Sequence, residues 1–250
     1  MPELMKTSNP ALNRSTFQGL SVLSGETMTL DGTVNKTGLL LLCTAATAAW
    51  TWHLFMQSRS VASVGLPLVV GLFGGLIFAL VTVFKKEWAP VTAPIYALLE
   101  GLALGGISAV FEVRFPGIAI QSVALTFGTL GVLLLAYRSG LIPVTQKFRL
   151  GVVAATGAIF LFYLAEIVLS FFGVHFASIN GSGVAGITFS AVVVIIAALN
   201  LVLDFDFIES GVRANAPKYM EWYAAFGLVV TLIWLYLEIL NLLAKARSRG

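Results

Sequence analysis

The sequence contains a single cysteine and few charged residues. Cys43 is the only cysteine among 250 residues, so no internal disulfide can form and a cysteine-rich metal site is excluded. Charged residues make up 11% of the chain and hydrophobic residues 58%, with a mean hydropathy of +0.93. Soluble domains are far less apolar than this. The composition therefore predicts an integral membrane protein that is embedded in a lipid bilayer.

The sequence also lacks the signatures of nucleic-acid binding and of common enzymes. The net charge is only +3, and the Lys and Arg residues are spread over the tails and connectors, which favours a role in membrane topology over nucleic-acid binding. No phosphate-binding loop, dinucleotide turn, nucleophile elbow or zinc-protease motif is present. We therefore expect no enzymatic activity and no organic cofactor.

Long apolar stretches are abundant. A helix needs about 20 mostly apolar residues to cross a bilayer, and such stretches occur at 38–56, 61–83, 94–111, 118–137, 151–172, 185–207 and 222–243. The connectors between them are too short to contain another domain. These spans predict an all-α bundle of seven transmembrane helices at 38–243, after an N-terminal segment at 1–37 and before a basic C-terminal tail at 244–250.

The positive charges predict the orientation of the bundle. Lys and Arg are about twice as frequent on the side of the membrane that carries the N-terminus, and such residues favour the cytoplasm. The N-terminus is therefore expected in the cytoplasm.

Two glycine pairs, Gly71 with Gly75 and Gly101 with Gly105, have the spacing that allows helix backbones to approach closely, and they are interpreted as packing surfaces.

The predicted spans contain carboxylic acids but no Lys or Arg. The acids are Glu100, Glu166, Asp204, Asp206 and Glu238. An acid in hydrocarbon costs several kcal/mol, so such residues usually face the interior of the bundle or a water-filled cavity. Without a nearby base they must be protonated, share protons, meet a cation or lie at the membrane surface. These acids predict a proton-sensitive interior that attracts cations.

The predicted topology divides these acids into two layers. Glu100 and Asp204 fall near the inner end of their spans, whereas Glu166 and Glu238 fall in the outer third. Asp206 is rotated by about 200° from Asp204, so it is expected near the headgroups.

Two polar neighbours accompany the acids. Asn200 precedes Asp204 by four positions and shares its helix face, and Asn241 follows Glu238 by three. The alternative is that the acids have only a structural role, either hydrogen-bonded to a neighbouring helix or exposed at a helix end.

Motifs in the last two spans resemble a known family. The residues at 203–209 are Leu-Asp-Phe-Asp-Phe-Ile-Glu, and those at 234–241 are Trp-Leu-Tyr-Leu-Glu-Ile-Leu-Asn. Together with 8–13 and 28–37, these motifs resemble the bacterial branch of the Bax inhibitor family. The resemblance implies a seven-helix fold in the bacterial plasma membrane, in which the other six helices wrap the last one. It also implies a pH-sensitive calcium leak that is gated by a pair of carboxylates.

The resemblance assigns this pair to Asp204 in span six and Glu238 in span seven, with calcium as the ion that the two would bind. Glu238 stands where the family pattern has an aspartate, and the depth estimate places the two acids in different layers.

Two other functions remain open from the residues alone. One is a non-conducting regulator that binds partner membrane proteins through its glycine-rich helices, and the other is a proton-coupled transporter that uses the acids as a relay.

Overall fold

The computed structural model describes residues 26–173 and 177–249, and this part of the chain is almost entirely helical. It contains seven helices that are long and apolar enough to span a membrane. The predictions of an all-α fold and of seven spans are therefore confirmed. The helices are α1 (Leu30–Ser58), α2 (Val61–Phe84), α3 (Ala89–Arg114), α4 (Ile118–Arg138), α5 (Gln146–Ser170), the short α6 (Ala177–Asn180), α7 (Val184–Arg213) and α8 (Met220–Arg249). The central position of the last helix stays a prediction.

Several helices extend beyond the predicted spans. The first one begins at Leu30 instead of residue 38, because the side chain of Thr29 caps it by accepting a 3.0 Å hydrogen bond from Gly32 N. The last one continues through Arg249, so the residues predicted as a basic tail from 244 are helical up to 249. The family motif at 8–13 and the first 25 positions of the predicted N-terminal segment lie outside the described residues.

The described residues form two compact units. The N-terminal unit comprises 26–119 and 206–230, and the C-terminal unit comprises 120–173, 177–205 and 231–249. Both α7 and α8 contribute to each unit, since each of these helices is divided between them.

Close helix packing holds the N-terminal unit together. The third helix packs against both α1 and α2. Gly101 and Gly105 lie against the backbone of α1 at Thr44 and Ala48, where a methyl group would overlap with carbonyl oxygens. Small residues allow this approach in the absence of a hydrophobic driving force between helices in lipid.

A short antiparallel bridge precedes α1 in the same unit. Thr27 pairs with Pro217, Met28 N donates to Ala216 O at 2.7 Å, and Lys218 N donates to Glu26 O at 3.1 Å. The chain before α1 is therefore bonded to the connector between α7 and α8.

Aromatic and polar contacts tie the helices of the C-terminal unit together. The rings of Phe162 on α5 and Phe189 on α7 lie 5.0 Å apart, within the range for favourable aromatic pairs. Asn200 on α7 donates a 2.8 Å hydrogen bond to Thr156 Oγ1 on α5. Glu166 on α5, Asp204 on α7 and Glu238 on α8 all lie in this unit.

Candidate functional site

Glu238 lies within α8 and is almost completely buried, with 7% of its surface exposed. Its Oε1 accepts a 2.9 Å hydrogen bond from the Tyr163 hydroxyl and a 3.2 Å bond from Trp234 Nε1. Oε2 is also buried, and it has no hydrogen-bond partner among residues 26–173 and 177–249. A buried carboxyl oxygen is thus left unbonded inside a spanning helix, where an unsatisfied polar group is costly.

Lys245 is a base on the same helix as this acid. It follows Glu238 by seven positions on α8, which is two helical turns and places both residues on one face. Its Nζ donates to Ile179 O and to Ser190 Oγ, each at 2.9 Å, and it interacts electrostatically with Glu238 and Glu166. The predicted spans contain no Lys or Arg, but the structure extends α8 through Lys245, which the sequence assigned to the tail.

Glu166 on α5 lies in the same group. It is half-buried and accepts a hydrogen bond from Asn180 Nδ2. Glu166 and Glu238 both interact electrostatically with Tyr163 as well as with Lys245. The structure thus gives these two acids two common neighbours. We call Tyr163, Glu166, Trp234, Glu238 and Lys245 the Glu238 cluster.

Asp204 is buried on α7 with 2% of its surface exposed, and it is not a hydrogen-bond partner of Glu238, whose partners in the described chain are Tyr163 and Trp234. At 1.5 Å per residue, Asp204 lies about 14 Å from the end of α7 at Arg213, and Glu238 lies about 27 Å from the start of α8. The structure places both in one unit without pairing them directly.

The remaining predicted site residues occupy separate places. Glu100 on α3 belongs to the N-terminal unit, where its carboxyl group covers Gly75 on α2 and interacts with Tyr96 one turn earlier. Asp206 is half-buried in that unit, and Asn241 is half-buried on α8. Asn200 is buried and donates to Thr156 and, at 2.8 Å, to Ile196 O.

A second buried acid, Glu221, was not predicted, because the sequence places it in a connector. It lies fully buried in the first turn of α8. It accepts hydrogen bonds from the backbone N and the hydroxyl of Thr29, both at 2.8 Å, and it forms ion pairs with Lys36 and, at 3.2 Å, with Lys218. The hydrogen bond to Glu221 raises the pKa of Lys218 above its ordinary value of 10.5. This carboxylate is fully bonded, in contrast to that of Glu238.

No group of three or more His, Cys, Asp or Glu side chains in the described part of the chain is arranged to hold a metal ion. The Glu238 cluster instead combines two acids with one base, a tyrosine hydroxyl and an indole.

Comparison with known proteins identifies one family. The model of the Bax inhibitor 1 like family matches residues 9–248, which is nearly the whole chain. This match confirms the resemblance drawn from the motifs in spans six and seven. No curated protein and no solved structure matches the chain significantly.

Proposed function

Because the chain belongs to the Bax inhibitor 1 like family, we propose that it forms a pH-sensitive leak for calcium and related cations, gated by intramembrane carboxylates. One observation carries the proposal: the spanning helix α8 holds the buried carboxyl group of Glu238, and one of its oxygens has no hydrogen-bond partner in the described chain. A buried, partly unbonded acid in a spanning segment is by default a functional group.

The chemistry of the cluster supports a cation as the permeant species. Calcium is bound by carboxylate, carbonyl and water oxygens in flexible geometry. Glu238 would offer its unbonded oxygen, with Glu166 nearby, and the buried Asp204 would offer a second position in the same unit. We propose that the two acids act as successive positions along a path, and that protonation of either one removes the negative charge that draws the cation in.

We propose a bacterial plasma membrane as the location, with the N-terminus in the cytoplasm, as the charge bias favours. The lipid bilayer, calcium ions and protons are the proposed partners, and neither an organic cofactor nor an enzymatic activity is proposed.

Calcium flux into proteoliposomes tests the proposal. The full chain, Asp204→Asn and Glu238→Gln are reconstituted, and the flux is measured at several pH values. Asp31→Asn is the matched control, because Asp31 is an exposed acid in the first turn of α1. We expect flux above that of empty vesicles, and a smaller flux with a flatter pH dependence in the two site variants only.

Other outcomes favour other functions. Unchanged, pH-dependent flux in both site variants contradicts the acid gate. No flux above that of empty vesicles favours a non-conducting protein that binds membrane-protein partners. Concentrative uptake of a solute that is driven by a pH gradient favours a proton-coupled transporter.

A further inference from the structure

We propose that Lys245 is a tethered cation of the Glu238 cluster, which competes with mobile cations for Glu238 and Glu166 and so sets the cation affinity of the cluster. This inference deepens the proposed function, since it names the residue that regulates the same site. It rests on the geometry of α5, α6, α7 and α8 within the C-terminal unit.

The ammonium group of Lys245 is held in place by two other helices. It donates to Ile179 O on α6 and to Ser190 Oγ on α7, each at 2.9 Å. A lysine ammonium has three donors, so these two bonds position the group and leave one N–H for a further partner. Lys245 interacts electrostatically with both acids of the cluster, so its positive charge acts on the carboxylates that would attract a permeant cation.

The short helix α6 positions the acid and the base together. Ile179 accepts the hydrogen bond from Lys245, and the next residue, Asn180, donates to Glu166. A lysine whose only role is to extend to the membrane surface would be expected to direct its ammonium group to solvent. Lys245 is instead half-buried and bonded to groups of the protein.

The electrostatic consequence depends on burial. Opposite charges interact more strongly in the protein interior than in water, and a fixed positive charge lowers the affinity of nearby carboxylates for a second cation. The unbonded Oε2 of Glu238 is the atom on which this competition acts, because it is buried and has no hydrogen-bond partner in the part of the chain that the structure describes. Removal of the Lys245 charge should therefore raise the affinity of the cluster for a divalent or trivalent cation.

Terbium binding to the purified full-length protein tests the inference. Tb³⁺ replaces Ca²⁺ at oxygen sites, and its luminescence is excited by a nearby indole. Trp234, whose Nε1 donates a 3.2 Å hydrogen bond to Glu238, is the indole in the cluster that can transfer excitation energy to Tb³⁺. Trp234→Phe identifies the part of the luminescence that this indole excites. We expect Lys245→Met to bind Tb³⁺ at least about tenfold more tightly than the wild-type protein, whereas Lys245→Arg, which keeps the charge, should differ little.

Arg249→Met is the matched control. It removes one positive charge from the same helix by the same type of change, at an exposed position. We expect wild-type affinity from this variant, and loss of the gained affinity when Glu238→Gln is added to Lys245→Met. If Lys245→Met does not fold, Lys245→Gln replaces it, because an amide keeps a hydrogen-bond donor at this position while it carries no charge.

Equal affinities of the wild-type, Lys245→Met and Lys245→Gln proteins would overturn the inference, and so would an equal gain in Arg249→Met. The leak proposal and the inference about Lys245 can fail independently, because Tb³⁺ binding is measured without calcium flux. Tighter Tb³⁺ binding together with no calcium flux in any protein supports the tethered cation and contradicts the leak. Calcium flux together with unchanged Tb³⁺ binding supports the leak and contradicts the tethered cation.

Discussion

Lys36 on α1 forms an ion pair with Glu221 in the first turn of α8. The two residues are 185 positions apart in the chain, and the same carboxylate also accepts both hydrogen bonds from Thr29, the residue that caps α1. One buried acid therefore fixes the start of the first spanning helix to the start of the last one within the N-terminal unit. Its partners satisfy the carboxylate, which distinguishes this structural acid from Glu238.

Loss of the Glu221 charge should destabilise the fold. Glu221→Gln leaves Lys36, whose side chain is only 18% exposed, without its counter-ion, and breaking a buried pair costs about 3 kcal/mol or more. We expect a decrease of this size in the free energy of unfolding, measured in mixed micelles. Asp31→Asn, which neutralises an exposed acid in the first turn of α1, should change it by less than about 0.5 kcal/mol. Equal effects of the two variants would contradict the assigned role.

The two lysines that bond Glu221 should contribute unequally. The side chain of Lys36 is 18% exposed and that of Lys218 is 41% exposed, and solvent weakens an ion pair that involves an exposed side chain. Lys36→Met should therefore lower the free energy of unfolding by more than Lys218→Met does. A double-mutant cycle with Glu221→Gln measures each coupling, and a larger coupling for Lys218 would contradict the burial argument.

Lys218 should give the protein an alkaline limit of stability. Its hydrogen bond to Glu221 raises its pKa above 10.5, so the folded state holds the proton more tightly than the unfolded state does. The resulting stabilisation is complete below the unfolded pKa of about 10.5 and is lost as the pH rises through the folded pKa. The difference in unfolding free energy between wild type and Lys218→Met should therefore shrink above about pH 10.5.

Unfolding measured from neutral to alkaline pH tests this expectation. Lys85→Met removes a lysine at an exposed position and should follow the wild-type curve in parallel. A constant difference between wild type and Lys218→Met across this range would show that the bond to Glu221 does not hold the proton.

The close contact at Gly105 predicts that a substitution to alanine has different effects on stability at two glycines. A methyl group at Gly105 would overlap with Ala48 O on α1, so Gly105→Ala should lower the free energy of unfolding by about 1–3 kcal/mol. Gly128 on α4 has no described atom within 4 Å of the added methyl group. Gly128→Ala should therefore be neutral or stabilising by up to about 1 kcal/mol, and a loss at Gly128 as large as that at Gly105 would contradict the packing argument.

The number and type of the spans could be predicted from the sequence because hydropathy reports directly on the lipid environment. The ends of the helices could not, since they depend on tertiary contacts. The start of α1 depends on Thr29, which is bonded to Glu221 at the other end of the chain. The charged residues at 245, 247 and 249 end the apolar run of α8, but the backbone stays helical through Arg249.

The candidate site was predicted in part. The acids themselves could be found, because a carboxylate in an apolar run is conspicuous against its background. Their partners could not, since Tyr163 and Glu238 are 75 positions apart and no periodic pattern links two such residues. Lys245 could not be predicted as part of the site, because the apolar span ends at residue 243 whereas α8 continues to Arg249.

The proposed orientation predicts labelling from opposite sides of the membrane. Cys43 is the only cysteine, so Cys43→Ser provides a background in which Asp31→Cys and Arg249→Cys each supply one thiol at an exposed position. An odd number of spans places the two thiols on opposite sides, and the charge bias places residue 31 in the cytoplasm. In right-side-out membrane vesicles, a membrane-impermeant maleimide should label position 249 directly and position 31 only after permeabilisation, while the background protein stays unlabelled. Direct labelling of both positions would contradict the count of seven spans, whereas the reverse order would contradict the orientation and leave that count intact.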